Sequence, residues 1–211
     1  MKLGLFGGSF DPVHLGHLLV ALAAREELAL DRLYFIPATQ SPFKSECPAA
    51  AAQERLRLLR LALAGQTWCE VDELEIRRGG ISYTIDTARH FASRYPGDEL
   101  FYLIGADHVA QLPKWREAGE LARLVEFVVI PRPSEGIVLP TAIPNAVGAA
   151  VGNLQPVATA LPAPFRGRAL RGFPVGVSSS QIRKRIQKGL SIELLVPAPV
   201  AEAIRNNRLY L

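Results

Sequence analysis

Residues 2–17 read KLGLFGGSFDPVHLGH. The apolar run Lys2–Phe6 has the composition of a buried strand. Gly7 and Gly8 end it in a turn where the missing Cβ atoms let the backbone approach a phosphate closely. Pro12 suits the stretch just ahead of a helix start, where no N–H donor is needed. From Leu15 to Leu30 the pattern is helical, so the free N–H groups and positive dipole end point back at the turn. His14 and His17 lie at i and i+3 and share one face. Two imidazoles, bare amides and a helix N-terminus at one point form an anion site suited to polyphosphate. A plain turn, a pair of metal-ligating histidines or two surface histidines are the alternatives.

Working outward, strand and helix patterns alternate. Apolar runs at 33–37, 69–72, 100–104 and 124–130 read as strands, and helical patterns lie at 51–64, 84–95 and 107–123. Short apolar strands buried on both faces, alternating with amphipathic helices, predict a doubly wound, mainly parallel α/β sheet. Ligands of such sheets bind past the carboxyl ends of the strands, where the opening motif lies. No GxGxxG fingerprint is present, so a nicotinamide-dependent dehydrogenase gains no support. Residues 131–174 are rich in proline and small residues and read as a long excursion with a little β structure. From Val177 the chain turns helical again. Ser178–Ser180 cap a helix carrying Gln181–Lys188, Gly189 suits its end, and a last helix runs from Pro197 to Asn206.

The bulk numbers bound the reading. The chain has 211 residues, 49% of them hydrophobic and 21% charged, which is ordinary for a soluble domain. A formal net charge of +4 suits an anionic small substrate and is too weak to indicate nucleic acid. Cys47 and Cys69 match neither a disulfide framework nor a CxxC spacing. No run approaches bilayer-spanning length and no signal-peptide pattern opens the chain, so the cytoplasm is the expected compartment, with no membrane partner. The oligomeric state stays open, a homo-oligomer included.

VSSSQIRKR, residues 177–185, is the second feature with chemistry. Serine hydroxyls and unpaired amides at a helix start again seat a phosphate, and Arg183, one turn in, carries a planar fork of donors. A serine-capped surface helix with solvated basic residues is the alternative.

Two motifs carry a family resemblance. GGSFDPVHLGH resembles the (T/S)FDPxHxGH motif of the nucleotidyltransferase superfamily, whose HxGH corresponds to the HIGH motif of class I aminoacyl-tRNA synthetases. The family's usual Thr is Ser9 here, which keeps the hydroxyl. VSSSQIRKR resembles its ISSTxIR motif, with Val177 for Ile and Ser180 for Thr. Three internal segments resemble bacterial nicotinate mononucleotide adenylyltransferases. ISYTIDTARH (81–90) is similar to their YTxDT segment and IGADHVAQLPKW (104–115) to their IGxDxxxxLPxW. IPATQSPFK (36–44) is similar to their strand-2 loop, which ends in a lysine. The family often has a histidine before that lysine, where this chain has Phe43. Residues 131–174 match least.

The resemblance implies a Rossmann-like nucleotidyltransferase domain spanning 1–211, with a C-terminal helical subregion at 177–211. It implies adenylyl transfer from ATP to nicotinate mononucleotide, giving the dinucleotide and pyrophosphate. His14, His17 and Arg183 would be catalytic. Gly7, Gly8, Ser9, Phe10, His17, Ser178, Ser179, Ser180 and Arg183 would bind ATP. Lys44, Tyr83, Thr84, Asp107, Trp115 and Arg132 would bind the mononucleotide. Mg²⁺ would bridge the ATP phosphates without dedicated protein ligands.

The residue chemistry agrees and leaves structural readings beside it. Amides at Tyr83–Thr84, ahead of a helix, can donate to a carboxylate; Thr84 can equally cap that helix. Trp115 offers a flat face for a pyridine ring, or packs in a core. Asp107 can accept from ribose hydroxyls, or cap the next helix. Lys44 and Arg132 can neutralise phosphate from loops, or remain solvated. His90 and His108 read as surface residues. Pantetheine phosphate or nicotinamide mononucleotide as acceptor, and a non-catalytic nucleotide-binding module, are the other functions considered.

Overall fold

Strand β1 (Lys2–Gly8) sends Leu3 and Leu5 to one side of a sheet and Phe6 to the other, and all three are buried. The same alternation recurs in β2 (Arg32–Pro37), where Leu33 and Phe35 oppose Tyr34 and Ile36. It recurs in β4 (Glu99–Gly105) with Phe101 and Leu103 against Tyr102 and Ile104. Both faces are therefore apolar, and the sheet requires cover on each. The structure, a computed structural model, describes residues 1–40, 42, 48–131, 161–172 and 176–211.

The strands β3 (Cys69–Val71), β5 (Glu126–Ile130) and β6 (Gly167–Ala169) complete a six-stranded sheet of order β3-β2-β1-β4-β5-β6. Every neighbouring pair is parallel. The order reverses between β1 and β4, so the switch point lies at the carboxyl end of β1, where Gly7 and Gly8 sit. One face packs under α1 (Leu15–Leu28), α2 (Ala52–Ala62), α6 (Ser179–Gln187) and α7 (Ala198–Asn206). The short α3 (Leu74–Arg78), α4 (Thr84–Arg94) and α5 (Ala118–Leu124) contribute to the opposite face.

The expected helix over 107–123 is corrected. A 3₁₀ helix spans Ala106–Lys114, the chain extends at Trp115, and α5 starts only at Ala118. Pro113 supplies no N–H for an α-helical bond, and Glu117 takes a left-handed φ of 52°, so a continuous helix is interrupted twice. Its cap is Gly105, which places Asp107 inside the first turn and not at the N-cap. The apolar run 124–130 is likewise shared, because Leu124 closes α5 and the strand begins at Glu126. Within the proline-rich stretch, the described residues hold β6, an edge strand paired to β5 that apolar patterning did not announce.

A buried network fixes the segment ahead of α4. Thr39 N–H donates to Ser82 Oγ at 3.0 Å, and Ser82 N–H donates to the Gln40 carbonyl at 2.9 Å. Thr39 Oγ1 donates to the Glu75 carbonyl at 2.7 Å, and Thr87 Oγ1 donates to Glu75 Oε1 at 2.6 Å. The loop after β2 and the start of α4 are thus tied through α3. Burial pushes the Glu75 carboxyl above its ordinary range, against the hydrogen bonds from Thr87 and Ser82.

Two outcomes test this architecture. A Cβ on Gly167 would lie 2.1 Å from the Phe127 carbonyl oxygen, so Gly167→Ala should cost about 1–3 kcal/mol, read as a lower urea midpoint. For Glu75 the folded state holds its proton to higher pH than the unfolded chain does. The stabilisation is complete below the ordinary value of 4.5 and is lost as pH rises through the folded value. The stability difference between parent and Glu75→Gln should therefore shrink as pH rises through that window. A difference independent of pH would contradict the burial of this carboxyl.

Candidate active site

The chain leaves β1 through Gly7 and Gly8 because no side chain fits there. A Cβ on Gly7 would stand 2.4 Å from the buried Tyr102 hydroxyl, and one on Gly8 would meet the Phe10 ring at 3.1 Å. Phe10 takes φ of 47°, uncommon for a bulky residue, and its ring is buried against Phe6 and Phe35 at centroid distances of 5.5 and 5.6 Å. That anchor turns the backbone so that Asp11 and His14 face back across the end of the sheet. Asp11 is buried, and its carboxylate accepts from Ala49 N–H at 2.7 Å and Ala50 N–H at 3.1 Å.

His14 is the N-cap of α1 and His17 its third residue. Their rings stack at 3.7 Å between centroids with a 26° tilt. His14 N–H donates to His17 Nδ1 at 3.2 Å. An acceptor at Nδ1 leaves the proton of the neutral His17 ring on Nε2, where it can be donated to a ligand. The His17 ring also lies edge-on to Phe10 at 4.9 Å, which fixes its plane. His14 is buried at 6% exposure and His17 is half-buried.

The second motif arrives at the same place. Ser178 caps α6 by accepting from Gln181 N–H at 3.2 Å, and Gln181 Oε1 accepts from Ser178 N–H at 2.9 Å. This is a reciprocal capping box, as the sequence indicated for Ser178. Ser179 Oγ donates to the Pro12 carbonyl at 2.9 Å. Arg183 Nη1 donates to the Asp11 carbonyl at 2.6 Å and lies 3.8 Å from its carboxylate. Arg183 Nη2 donates to Ser180 Oγ at 3.4 Å. The starts of α1 and α6, far apart in sequence, are thus held side by side. Ser9 and Ser180 border the same region, on the loop after β1 and the first turn of α6.

A separate cleft of about 290 Å³ opens at the start of α4. Tyr83, Thr84 and Trp115 line it together, with Lys114 and Arg116. Tyr83 is the N-cap of α4, and Thr84 is its first helical residue and not the cap. Thr84 Oγ1 donates to the Tyr102 hydroxyl at 3.5 Å, so this cleft and the end of β1, which runs through the expected glycine turn to Gly8, share one tyrosine. Trp115 follows the 3₁₀ helix, packs edge-on to Phe127 at 6.2 Å, and keeps a lining face. The packing matches the core reading of Trp115, although it stands outside any helix, and the lining face is the surface that a ring would meet. Asp107 is exposed, with His108 Nε2 at 3.8 Å, and does not line this cleft. His90 is exposed and His108 half-buried. Lys44 and Arg132 lie outside the described residues.

Two residues of the site were missed in the sequence. Arg55 is buried at 1% exposure and donates from Nη1 to the carbonyls of Ser9 at 2.7 Å and Ala38 at 2.8 Å. Its Nε donates to the Ala50 carbonyl at 3.3 Å. On a helix reading AQERLRLLRLA it looks like one of several solvated arginines; its offset from Arg57 and Arg60 was the only signal. Arg116 sets its guanidinium 4.8 Å over the Tyr83 ring, a position that its place next to Trp115 hinted at.

Comparison with known proteins agrees with this geometry. Residues 5–185 match the cytidylyltransferase-like family. A probable nicotinate-nucleotide adenylyltransferase of Opitutus terrae is 38% identical over 210 residues, covering 100% of this chain and 98% of that protein. One from Treponema pallidum is 39% identical over 214 residues, covering 100% and 99%. The fold is similar to that of a Plasmodium falciparum nicotinic acid mononucleotide adenylyltransferase solved in complex with NaAD. The TM-score is 0.70 at 16% identity, over 99% of this chain and 97% of that one. The family match across most of the chain, and identity to these relatives along its whole length, show that the chain belongs to the cytidylyltransferase-like family, with the nicotinate-nucleotide adenylyltransferases.

Proposed function

We propose that the protein transfers the adenylyl group of ATP to nicotinate mononucleotide, giving nicotinate adenine dinucleotide and pyrophosphate in NAD biosynthesis. The observation that carries this reading is the convergence of two helix starts, α1 with its histidine pair and α6 with its serine cap and Arg183, at the carboxyl end of β1. Two positive helix ends with donors between them suit a polyphosphate. The names of the full-length relatives supply the acceptor.

The reaction needs no protein nucleophile. The mononucleotide phosphate oxygen attacks the α-phosphorus of ATP in line; one P–O bond forms as the bond to the bridging oxygen breaks, and pyrophosphate leaves with the electron pair. The protein positions two anions and stabilises the charge that moves to the leaving group. We assign that work to His14, His17 Nε2–H, Arg183 and the amides of Ser179 and Ser180, with Ser178 holding the helix start through its capping box. Gly7, Gly8, Ser9 and Phe10 shape the seat of the nucleotide. Arg183 keeps one nitrogen on the Asp11 carbonyl, which aims the rest of the fork. Lys44, Arg132 and Asp107 remain assigned to the mononucleotide's phosphate and ribose.

Among the described residues no group of three His, Cys, Asp or Glu could hold a metal ion. In the proposal Mg²⁺ would be held by the ATP phosphates and water, and would supply charge neutralisation. Among the described residues no helix is long and apolar enough to cross a membrane. We place the reaction in the cytoplasm, with the ATP it consumes.

In the acceptor cleft, amides at Tyr83–Thr84 receive the nicotinate carboxylate and Trp115 receives the ring. An amide there would point a donor at donors. The mismatch costs about 1–3 kcal/mol, or roughly tenfold to over a hundredfold in kcat/KM.

The deciding experiment is pyrophosphate release with ATP and each phosphate acceptor in turn. Nicotinate mononucleotide should be the preferred acceptor, and silence with every acceptor would overturn the activity. His17→Ala should lower kcat about 10²-fold or more in a folded protein. Trp115→Ala should raise KM for the mononucleotide more than for ATP. Equal increases would remove the ring from that face.

A further inference from the structure

We infer that Arg116 is a specificity-determining residue, whose guanidinium selects an acceptor bearing a negatively charged ring substituent over its neutral amide. The inference rests on the adenylyltransferase reading and adds a charge-based selector to the helix amides. Among the described residues, the charged groups that line the cleft are Lys114 and Arg116, both cations. The Arg116 guanidinium carbon lies 4.8 Å from the centroid of the Tyr83 ring. Tyr83 is the N-cap of α4 and lines the cleft, so the cation stands over that helix start. Stacking on an aromatic face holds the planar fork without consuming its edge, and that edge matches a carboxylate with two parallel N–H donors.

The neighbouring acid does not cancel this charge. Arg116 Nε lies 3.6 Å from Glu117 Oε1. Glu117 is also engaged by Arg89, whose Nη1 donates to Oε1 at 3.3 Å and whose Nη2 donates to Oε2. Arg89 bonds Glu120 as well, through Nε at 2.8 Å, and these bonds tie the two acids to α4. The left-handed backbone at Glu117 turns the chain sharply between the two side chains. Arg89 thus takes up much of the Glu117 charge, and Lys114 adds a second cation beside Arg116 at the cleft. A carboxylate on the ring enters a positive field there, whereas a carboxamide gains only a dipole.

The test measures kcat/KM for nicotinate and nicotinamide mononucleotides at saturating ATP in the parent, Arg116→Ala and Arg116→Lys proteins. Circular dichroism monitors folding, and the exposed position of Arg116 lets it be replaced without opening the core. In Arg116→Ala the preference for the acid should fall about tenfold, the scale of one partly solvated charge-assisted contact. Most of the loss should lie in KM for the acid, with the amide little changed. Arg116→Lys should recover part of the preference, because it keeps the charge and loses the fork. A loss shared equally by both acceptors, with the ratio unchanged, would overturn the inference and leave selection to the α4 amides. A parent enzyme that releases pyrophosphate with neither mononucleotide would overturn the proposed activity, and this selector with it.

Discussion

The guanidinium of Arg55, buried beneath the site, donates to the carbonyls of Ser9, Ala38 and Ala50. A buried cation without such acceptors would carry a large desolvation penalty. Burial does lower its pKa, while the Asp11 carboxylate opposes that shift. The three carbonyls belong to two connections, Ser9 just after β1, and Ala38 and Ala50 at the two ends of the segment between β2 and α2. Each loop is therefore held where its carbonyl can reach one side chain. Asp11 repeats the device with opposite sign, gathering Ala49 and Ala50 amides on its carboxylate. The backbone around the HxGH turn is set by buried charges that meet main-chain groups, and the side chains of His14 and His17 inherit that placement.

The sheet supplies the other constraint. Tyr102 projects from β4 at the switch point, close enough to Gly7 to exclude a side chain and within reach of the Thr84 hydroxyl. Burial raises the Tyr102 pKa, and the nearby Glu75 charge adds to the effect, so its hydroxyl stays neutral. It can therefore act as a fixed neutral spacer between the phosphate turn and the acceptor cleft. The proposed phosphate and ring sites then adjoin at one end of the sheet, an arrangement suited to a reaction that depends on alignment.

Much of this was legible in the sequence, for identifiable reasons. The central strands show themselves because residues such as Leu3, Leu5 and Phe6 are buried on both faces. Ser178 announced the α6 start through capping chemistry that is local to four residues. The helix over 107–123 failed because apolar periodicity runs through Pro113 and Glu117, while the backbone does not. The β structure expected within 131–174 could not be pinned to residues, because Gly-Arg-Ala on a sheet edge has no apolar signature. Arg55 was invisible because burial of a charge depends on carbonyls 46 and 17 residues away. The Tyr83–Thr84–Trp115 cleft could be anticipated only through family resemblance. From the residues alone, a helix cap and a core tryptophan explained the same letters.

The hydrogen bond from Arg183 to Asp11 spans 172 positions. Synthesis therefore delivers the acceptor cleft, which ends near Leu121, well before α6 leaves the ribosome. A nascent chain or a fragment cut ahead of Val177 carries the histidines and has no second helix start beside them. The contact that closes this end of the fold thus joins its first loop to one of its later helices, with α7 still to follow onto the same face of the sheet.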